Sequence, residues 1–232
     1  RGLGDVYKRQ LYIRPFLYGT DAKLGLHGVH TAQFIIILSP VGSYFDNGME
    51  PVKIIVETED VRAVRGGTGE AKCGGNYGAS NRAGERAFAN GYSQVLWLDG
   101  VHRKYVEEVG TMNIMFKIAG EIYTAPTVGT VLPGITRMSC IELLKKWGYK
   151  VHEERFTIDF IMDAAKTGKL EEVFGTGTAA VISPVGGLTY EGDSEVINNG
   201  EIGEVTQKLY DTLTGIQFGK QADDMGWIVP VE

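Results

Sequence analysis

The chain has 232 residues, 43% hydrophobic and 22% charged, the composition of an ordinary globular protein with room for one large domain or two small ones. A net charge of −6 leaves no basic stripe for a nucleic-acid backbone, and the longest aliphatic run, Phe34 to Leu38, is far short of the ~20 apolar residues that cross a bilayer. The start of the sequence lacks a signal-peptide pattern, and two widely separated cysteines, Cys73 and Cys140, suit a reducing compartment, so the cytoplasm is the expected address.

Residues 1–10 show neither strand alternation nor a helical stripe and read as an added segment foreign to the fold. The runs at 34–38, 52–56 and 95–98 are short, β-branched or apolar, and bounded by Gly, Pro and Asp, which predicts three buried strands. Asn76 is placed to cap a helix in which Ala79, Ala83 and Ala87 recur every four residues and Gly91 marks the end. Ile114 to Ile118 and Ile122 to Tyr123 predict a hairpin around Ala119-Gly120-Glu121. A helix from about Thr136 to Trp147, with Met138, Ile141 and Leu144 on one face, stops at Gly148. A second begins at Thr157 and ends at Gly168. Val173 and Ala179 to Ile182 are strand-like, and Val205, Leu209 and Leu213 mark a last helix that stops at Gly215. Strands and helices interleave without a strict βαβ rhythm, so the fold class is α+β.

Glycine is overused at 32 residues, about twice the ~7% average, and it clusters around Lys72 and again at Gly175 and Gly177. The segment from Arg65 to Tyr77 suggests a nucleotide loop but fails on spacing, because Ala71 precedes the lysine and Cys73 follows it. What remains is a lysine between glycine-rich stretches, a setting that lets it approach a flat cofactor; a surface lysine in a flexible loop is the plainer reading of that segment alone. In Glu107-Glu108-Val109-Gly110-Thr111-Met112-Asn113, extended backbone sends the two acids to opposite faces, so only one can enter a site; taken alone the segment reads as a solvated charged strand. Leu132 to Arg137 runs into a helix whose amino end, with the Thr136 hydroxyl, makes an anion site. The turn Phe174 to Ala179 can form an anion-binding nest.

In this order the motifs LYIRP at 11–15, SPVG at 39–42, VRAVRGGTGEAKCGGNYGAS at 61–80, QVLWLDG at 94–100, EVGTMN at 108–113, LPGITR at 132–137, FGTGTA at 174–179 and KLYDTLTGIQFG at 208–219 resemble the branched-chain amino acid aminotransferases, fold-type IV enzymes that use pyridoxal 5'-phosphate. The resemblance runs from Leu11 to the end of the sequence. It implies that residues 11–41 are the C-terminal part of a small α/β domain, 42–52 an interdomain connector and 53–232 a large pseudo-barrel domain that binds the cofactor. It implies that Lys72 holds the cofactor covalently and, once released by substrate, moves the reacting proton. Tyr77 matches the residue that hydrogen-bonds the cofactor's phenolic oxygen, and Glu108 the acid paired with its ring nitrogen. Ile135, Thr136 and Thr178 match phosphate ligands. Tyr12 and Arg14 match the side-chain end of the substrate pocket, Thr178 and Ala179 the α-carboxylate site; Tyr44 falls on the connector and Thr111 near the reacting face. Leu24 and Leu26 match a loop that reaches the neighbouring subunit's pocket, which implies a homodimer. No metal is assigned.

The implied function is transfer of the amino group between leucine, isoleucine or valine and 2-oxoglutarate, within branched-chain amino-acid metabolism. The alternatives are a fold-type IV relative, either a D-amino acid aminotransferase or an aminodeoxychorismate lyase, and an inactive phosphate-binding fragment. Sequence that the family carries before Leu11, including a phosphate-binding arginine, has no counterpart here. Ala180 and Ser183 stand where mammalian relatives carry a redox CxxC, so no thiol switch is expected.

Overall fold

The computed structural model describes residues 10–41 and 49–230. Contacts divide the chain into two units, Arg1–Gly48 and Met49–Glu232. The described part of the first is an antiparallel hairpin of β1 (Gln10–Gly19) and β2 (Ala32–Val41), in register from Gln10 opposite Val41 to Gly19 opposite Ala32. The loop between them is tied by Asp21, whose carboxylate accepts from the backbone N–H groups of His30 and Thr31. The aliphatic run at 34–38 is a strand, but not a buried one: Phe34, Ile36, Ile37 and Leu38 are all about half exposed or more. Among the described residues the two strands pair only with each other, and a two-stranded ribbon by itself buries little of either face.

The second unit is built on a sheet that closes on itself. Its strands are β3 (Val52–Val56), β4 (Gln94–Leu98), β5 (Val106–Val109), β6 (Met112–Ile118), β7 (Glu121–Thr124), β8 (Val151–Glu153), β9 (Leu170–Gly177), β10 (Val181–Tyr190) and β11 (Asp193–Val196). The ring runs β10-β3-β4-β5-β6-β9 and returns to β10, because β9 pairs with both β6 and β10. β3 lies parallel to β4 and β10; the other ring contacts are antiparallel. β7 and β8 extend from β6, and β11 from β10. The architecture is mixed α+β around a closed barrel, as the sequence predicts.

Strand alternation divides the core in two. Ile54, Leu96, Leu98, Ile114, Phe116 and Val173 pack together with Ile158 and Ile161 of helix α3 (Ile158–Lys166). The intervening residues Met115, Phe174 and Ile182 face Ile141 and Leu144 of helix α2 (Ile135–Lys146) and Leu209 and Leu213 of helix α4 (Glu204–Gln217). Helix α1 (Gly74–Ala89) sets Ala83 and Ala87 on Val95 and Trp97. Both faces of the barrel strands are therefore covered, which explains near-continuous apolar runs in place of clean alternation.

Most helix limits follow their signals. The Thr157 hydroxyl caps α3 by accepting from Phe160 N at 3.2 Å, and Gly91, Gly148 and Gly168 take positive φ at three helix ends. The Ala119-Gly120 turn of the predicted hairpin also has positive φ at both residues, as a two-residue turn between twisted strands requires. Two expectations are corrected. α4 does not stop at Gly215 but continues to Gln217, where Gly219 takes φ 66° and Lys220 N and Gly219 N close a Schellman motif on the Gly215 and Ile216 carbonyls at 2.7 and 3.0 Å. Asn76 is not the cap of α1 but lies inside its first turn, with Cys73 in the cap position. No described helix is long and apolar enough to cross a membrane.

Candidate active site

The glycine-rich segment between β3 and α1 forms a tightly tied loop. The buried Asn76 side chain donates to the carbonyls of Thr68 and Ala71 at 2.7 and 3.0 Å and accepts from the Thr68 hydroxyl at 2.7 Å. Gly69 is buried against the segment that leads into α2: a Cβ there would lie 2.6 Å from both Ala63 Cβ and Thr130 O. Glycine is needed at this point for close approach, not for turning. Lys72 leaves the end of this loop, and its Nζ donates to Tyr77 Oη at 2.7 Å while standing 4.9 Å from the centre of the Tyr77 ring.

On β5 the two acids point opposite ways, and neither is solvated. All four residues of β5 are buried, because the strand sits inside the closed ring between β4 and β6; the expectation of a solvated charged strand is thereby overturned. Glu108 Oε2 pairs with Arg62 Nε at 2.8 Å, and Oε1 accepts from Leu132 N at 2.7 Å and Asn113 Nδ2 at 3.3 Å. Burial pushes the Glu108 carboxyl up to about 7 against the pull of Arg62. Glu107 accepts from the Thr130 hydroxyl at 2.6 Å, while its Oε2 has no partner among the described residues; burial raises this carboxyl too.

The amino end of α2 faces the same region. Its N-cap is Gly134 in extended backbone, without a side-chain cap, so the first-turn N–H groups have no partner within the helix. The Asn113 amide donates to Leu132 O at 2.8 Å, and its Oδ1 occupies the space that a Cβ on Gly134 would need. The nest lies later than expected: Phe174 to Gly177 belong to β9, the turn is Thr178 to Ala180, and the strand resumes at Val181, not at Ala179.

Lys72, Glu108, Thr111, Ile135, Thr136 and Thr178 line one pocket, together with Asn113, Thr176 and Gly134. Tyr77 joins it through Lys72. Glu107 is not among the lining residues, and Ala179 is exposed in the turn beside Thr178. Tyr12 and Arg14 lie in the first unit on one face of β1, with Arg14 Nη2 donating to Tyr12 Oη at 2.9 Å. Leu24 and Leu26 lie fully exposed in the hairpin loop. Tyr44 falls outside the described residues. Among those described, no cluster of His, Cys, Asp and Glu is placed to hold a metal ion. Sequence reasoning missed Arg62, Asn113, Thr130 and Thr176. Each lies in or beside a motif already singled out, but nothing local separates buried Arg62 from exposed Arg65.

The model of one family, amino-transferase class IV, matches residues 2–188. The chain belongs to the class IV aminotransferases. Over 221 residues this class IV aminotransferase is 58% identical to branched-chain-amino-acid aminotransferase 2 of Bacillus subtilis (strain 168), covering 95% of its own length and 61% of that protein. It thus spans about three fifths of the curated relative. The crystal structure of the Escherichia coli branched-chain amino acid aminotransferase superposes with a TM-score of 0.81 at 30% identity, over 96% of this chain and 70% of that one. That of a second branched-chain amino acid aminotransferase, from T.th. and with pyridoxamine 5'-phosphate, gives 0.79 at 29% identity, over 94% and 69%.

Proposed function

We propose that this chain carries the cofactor-binding barrel of a pyridoxal 5'-phosphate aminotransferase that exchanges amino groups between branched-chain L-amino acids and 2-oxoglutarate. The observation that carries the reading is one pocket lined by a lysine amine, a buried carboxyl with a proton affinity near neutrality and the uncapped amino end of α2. Those three groups suit the aldehyde, ring nitrogen and phosphate of the cofactor, and the names of the relatives support the branched-chain substrates.

When bound, pyridoxal phosphate supplies a carbonyl that joins to amines and an electron-poor ring that takes up electrons from the substrate's Cα–H bond. Lys72 provides the amine that holds it, and the freed Nζ carries the proton to and from the substrate Cα. Tyr77 Oη, 2.7 Å from Nζ, orients the lysine and would donate to the cofactor's phenolic oxygen. Glu108 keeps the proton at the ring nitrogen; Arg62, Asn113 and Leu132 N fix its carboxyl in place. Ile135, Thr136 and Thr178 receive the phosphate. Tyr12 and Arg14 would serve the side-chain end of the substrate and the turn at Thr178 and Ala179 its α-carboxylate, with Thr111 near the reacting face and Tyr44 on the connector. Leu24 and Leu26 serve a homodimer, in the cytoplasm. Residues 11–41, 42–52 and 53–232 are the small-domain part, the connector and the large domain.

Borohydride reduction in the presence of the cofactor, followed by peptide mapping, should place the pyridoxyl group on Lys72; labelling at another lysine refutes the assignment. Glutamate formed from leucine and 2-oxoglutarate tests the substrates. A preference for D-alanine would instead identify the D-amino acid relative.

A further inference from the structure

We propose that Thr176 is a phosphate-binding residue whose hydroxyl donates to the cofactor's phosphate monoester at the amino end of α2; this rests on the cofactor reading above and adds a side chain to it. Thr176 is 1% exposed, yet its Oγ1 has no hydrogen-bond partner among the described residues. A buried hydroxyl without a partner is costly and rare in native proteins, and a site left so calls for a ligand. Thr176 is one of the residues that line the pocket shared by Lys72 and Thr136.

The strand register says which end of that pocket it serves. Thr176 on β9 pairs directly with Asn113 on β6, and directly opposed residues of an antiparallel pair send their side chains to one face. Asn113 reaches Leu132 O and lies against Gly134, the cap of α2. Thr176 is therefore on the side of the unpaired helix amides, which favour an anion.

An isosteric Thr176→Val variant separates this role from a structural one. Titrating the full chain by absorbance, the variant should bind pyridoxal 5'-phosphate about 10–100-fold more weakly, the effect of losing one hydrogen bond to a charged group. Its affinity for pyridoxal, which lacks the phosphate, should not change, and Thr176→Ser should restore phosphate-dependent binding. Without ligand the valine variant should melt no lower than the wild type, since an unsatisfied buried hydroxyl has been removed. Equal affinity of the variant and wild type for pyridoxal phosphate would overturn the proposal and assign the hydroxyl to a buried water. An equal loss for both ligands would also overturn it by showing a packing role. Should the valine variant not fold, Thr176→Ala carries the same comparison. A wild-type chain that binds no pyridoxal phosphate refutes the cofactor reading and this assignment together; a difference confined to the variants bears on Thr176 alone.

Discussion

Replacing Arg62 by methionine tests whether the barrel is organised around the Glu108 carboxyl. The guanidinium pairs with Glu108 at 2.8 Å and donates to Thr130 O at 2.8 Å and to Gly69 O at 3.3–3.4 Å. Methionine keeps most of the apolar stem and removes every donor. The buried Thr130 carbonyl then loses its close donor and Gly69 O its longer ones, at a combined cost of about 2–3 kcal/mol independent of pH. The carboxyl adds a pH-dependent part. Glu108 is raised from 4.5 to about 7 even with Arg62 beside it. A folded value above the unfolded one gives a contribution fully present below pH 4.5 and lost as pH rises through the folded value. In the wild type that loss levels off near pH 7, where the carboxyl ionises; without Arg62 it continues, at about 1.4 kcal/mol per pH unit. Urea unfolding of the variant and wild type should therefore give a gap of about 2–3 kcal/mol at about pH 5.5 that widens by about 1.4 kcal/mol at about pH 8. A gap below about 1 kcal/mol at about pH 5.5, or one that narrows toward about pH 8, would refute this account of the cluster.

Other outcomes follow from named contacts. Glu108→Gln should abolish the pH dependence of cofactor absorbance, whereas Glu107→Gln should leave it unchanged because Glu107 faces Thr130; the opposite ranking in a spectral titration would show the β5 register to be wrong. Tyr77→Phe removes the 2.7 Å partner of Lys72 and should slow labelling of Lys72 by the cofactor, followed by borohydride trapping, without changing the melting temperature. Gly69→Ala places a methyl 2.6 Å from Ala63 Cβ and Thr130 O and should cost about 1–3 kcal/mol in urea unfolding. Thr157→Ala removes the cap of α3 and should cost about 1 kcal/mol.

Elements whose signals are local were legible in the sequence. The Thr157 cap, the glycines at 91, 148 and 168, and the Ala119-Gly120 turn each work through the dihedrals of one residue and its near neighbours. The hydrogen bond from Lys72 to Tyr77 is as local, joined by one loop end and one helical turn, but the sequence pattern did not show it. Burial was less legible. The solvation of Glu107 and Glu108 depends on ring closure through β9, whose partners β6 and β10 lie on either side of it in the chain, so nothing within 106–109 reveals it. The run at 34–38 has a buried composition but lies in a two-stranded ribbon. Gly215 reads as a stop because glycine commonly follows a helix, yet here it is the helical residue whose carbonyl the stop folds back upon. Asn76 is a favourable capping type, but its amide is taken up by Thr68 and Ala71. Thr176 lay inside a quoted motif, and only the pairing with Asn113 shows which way it faces.

The parallel seam between β3 and β10 also constrains how the chain acquires its structure. Val52 meets Val185 and Ile55 meets Thr189, so the first strand of the barrel waits for one of the last. During synthesis β3 can pair with β4 but keeps its other edge unpaired until β10 has been made, and the chain entropy of bringing those distant segments together is lost before any of the seam's hydrogen bonds form. Such an edge is a template for the wrong partner, including the same strand of another nascent chain. Recovery of folded protein should accordingly fall with expression rate and temperature more steeply than the stability of the finished barrel suggests. The vulnerable step is the joining of β3 to β10.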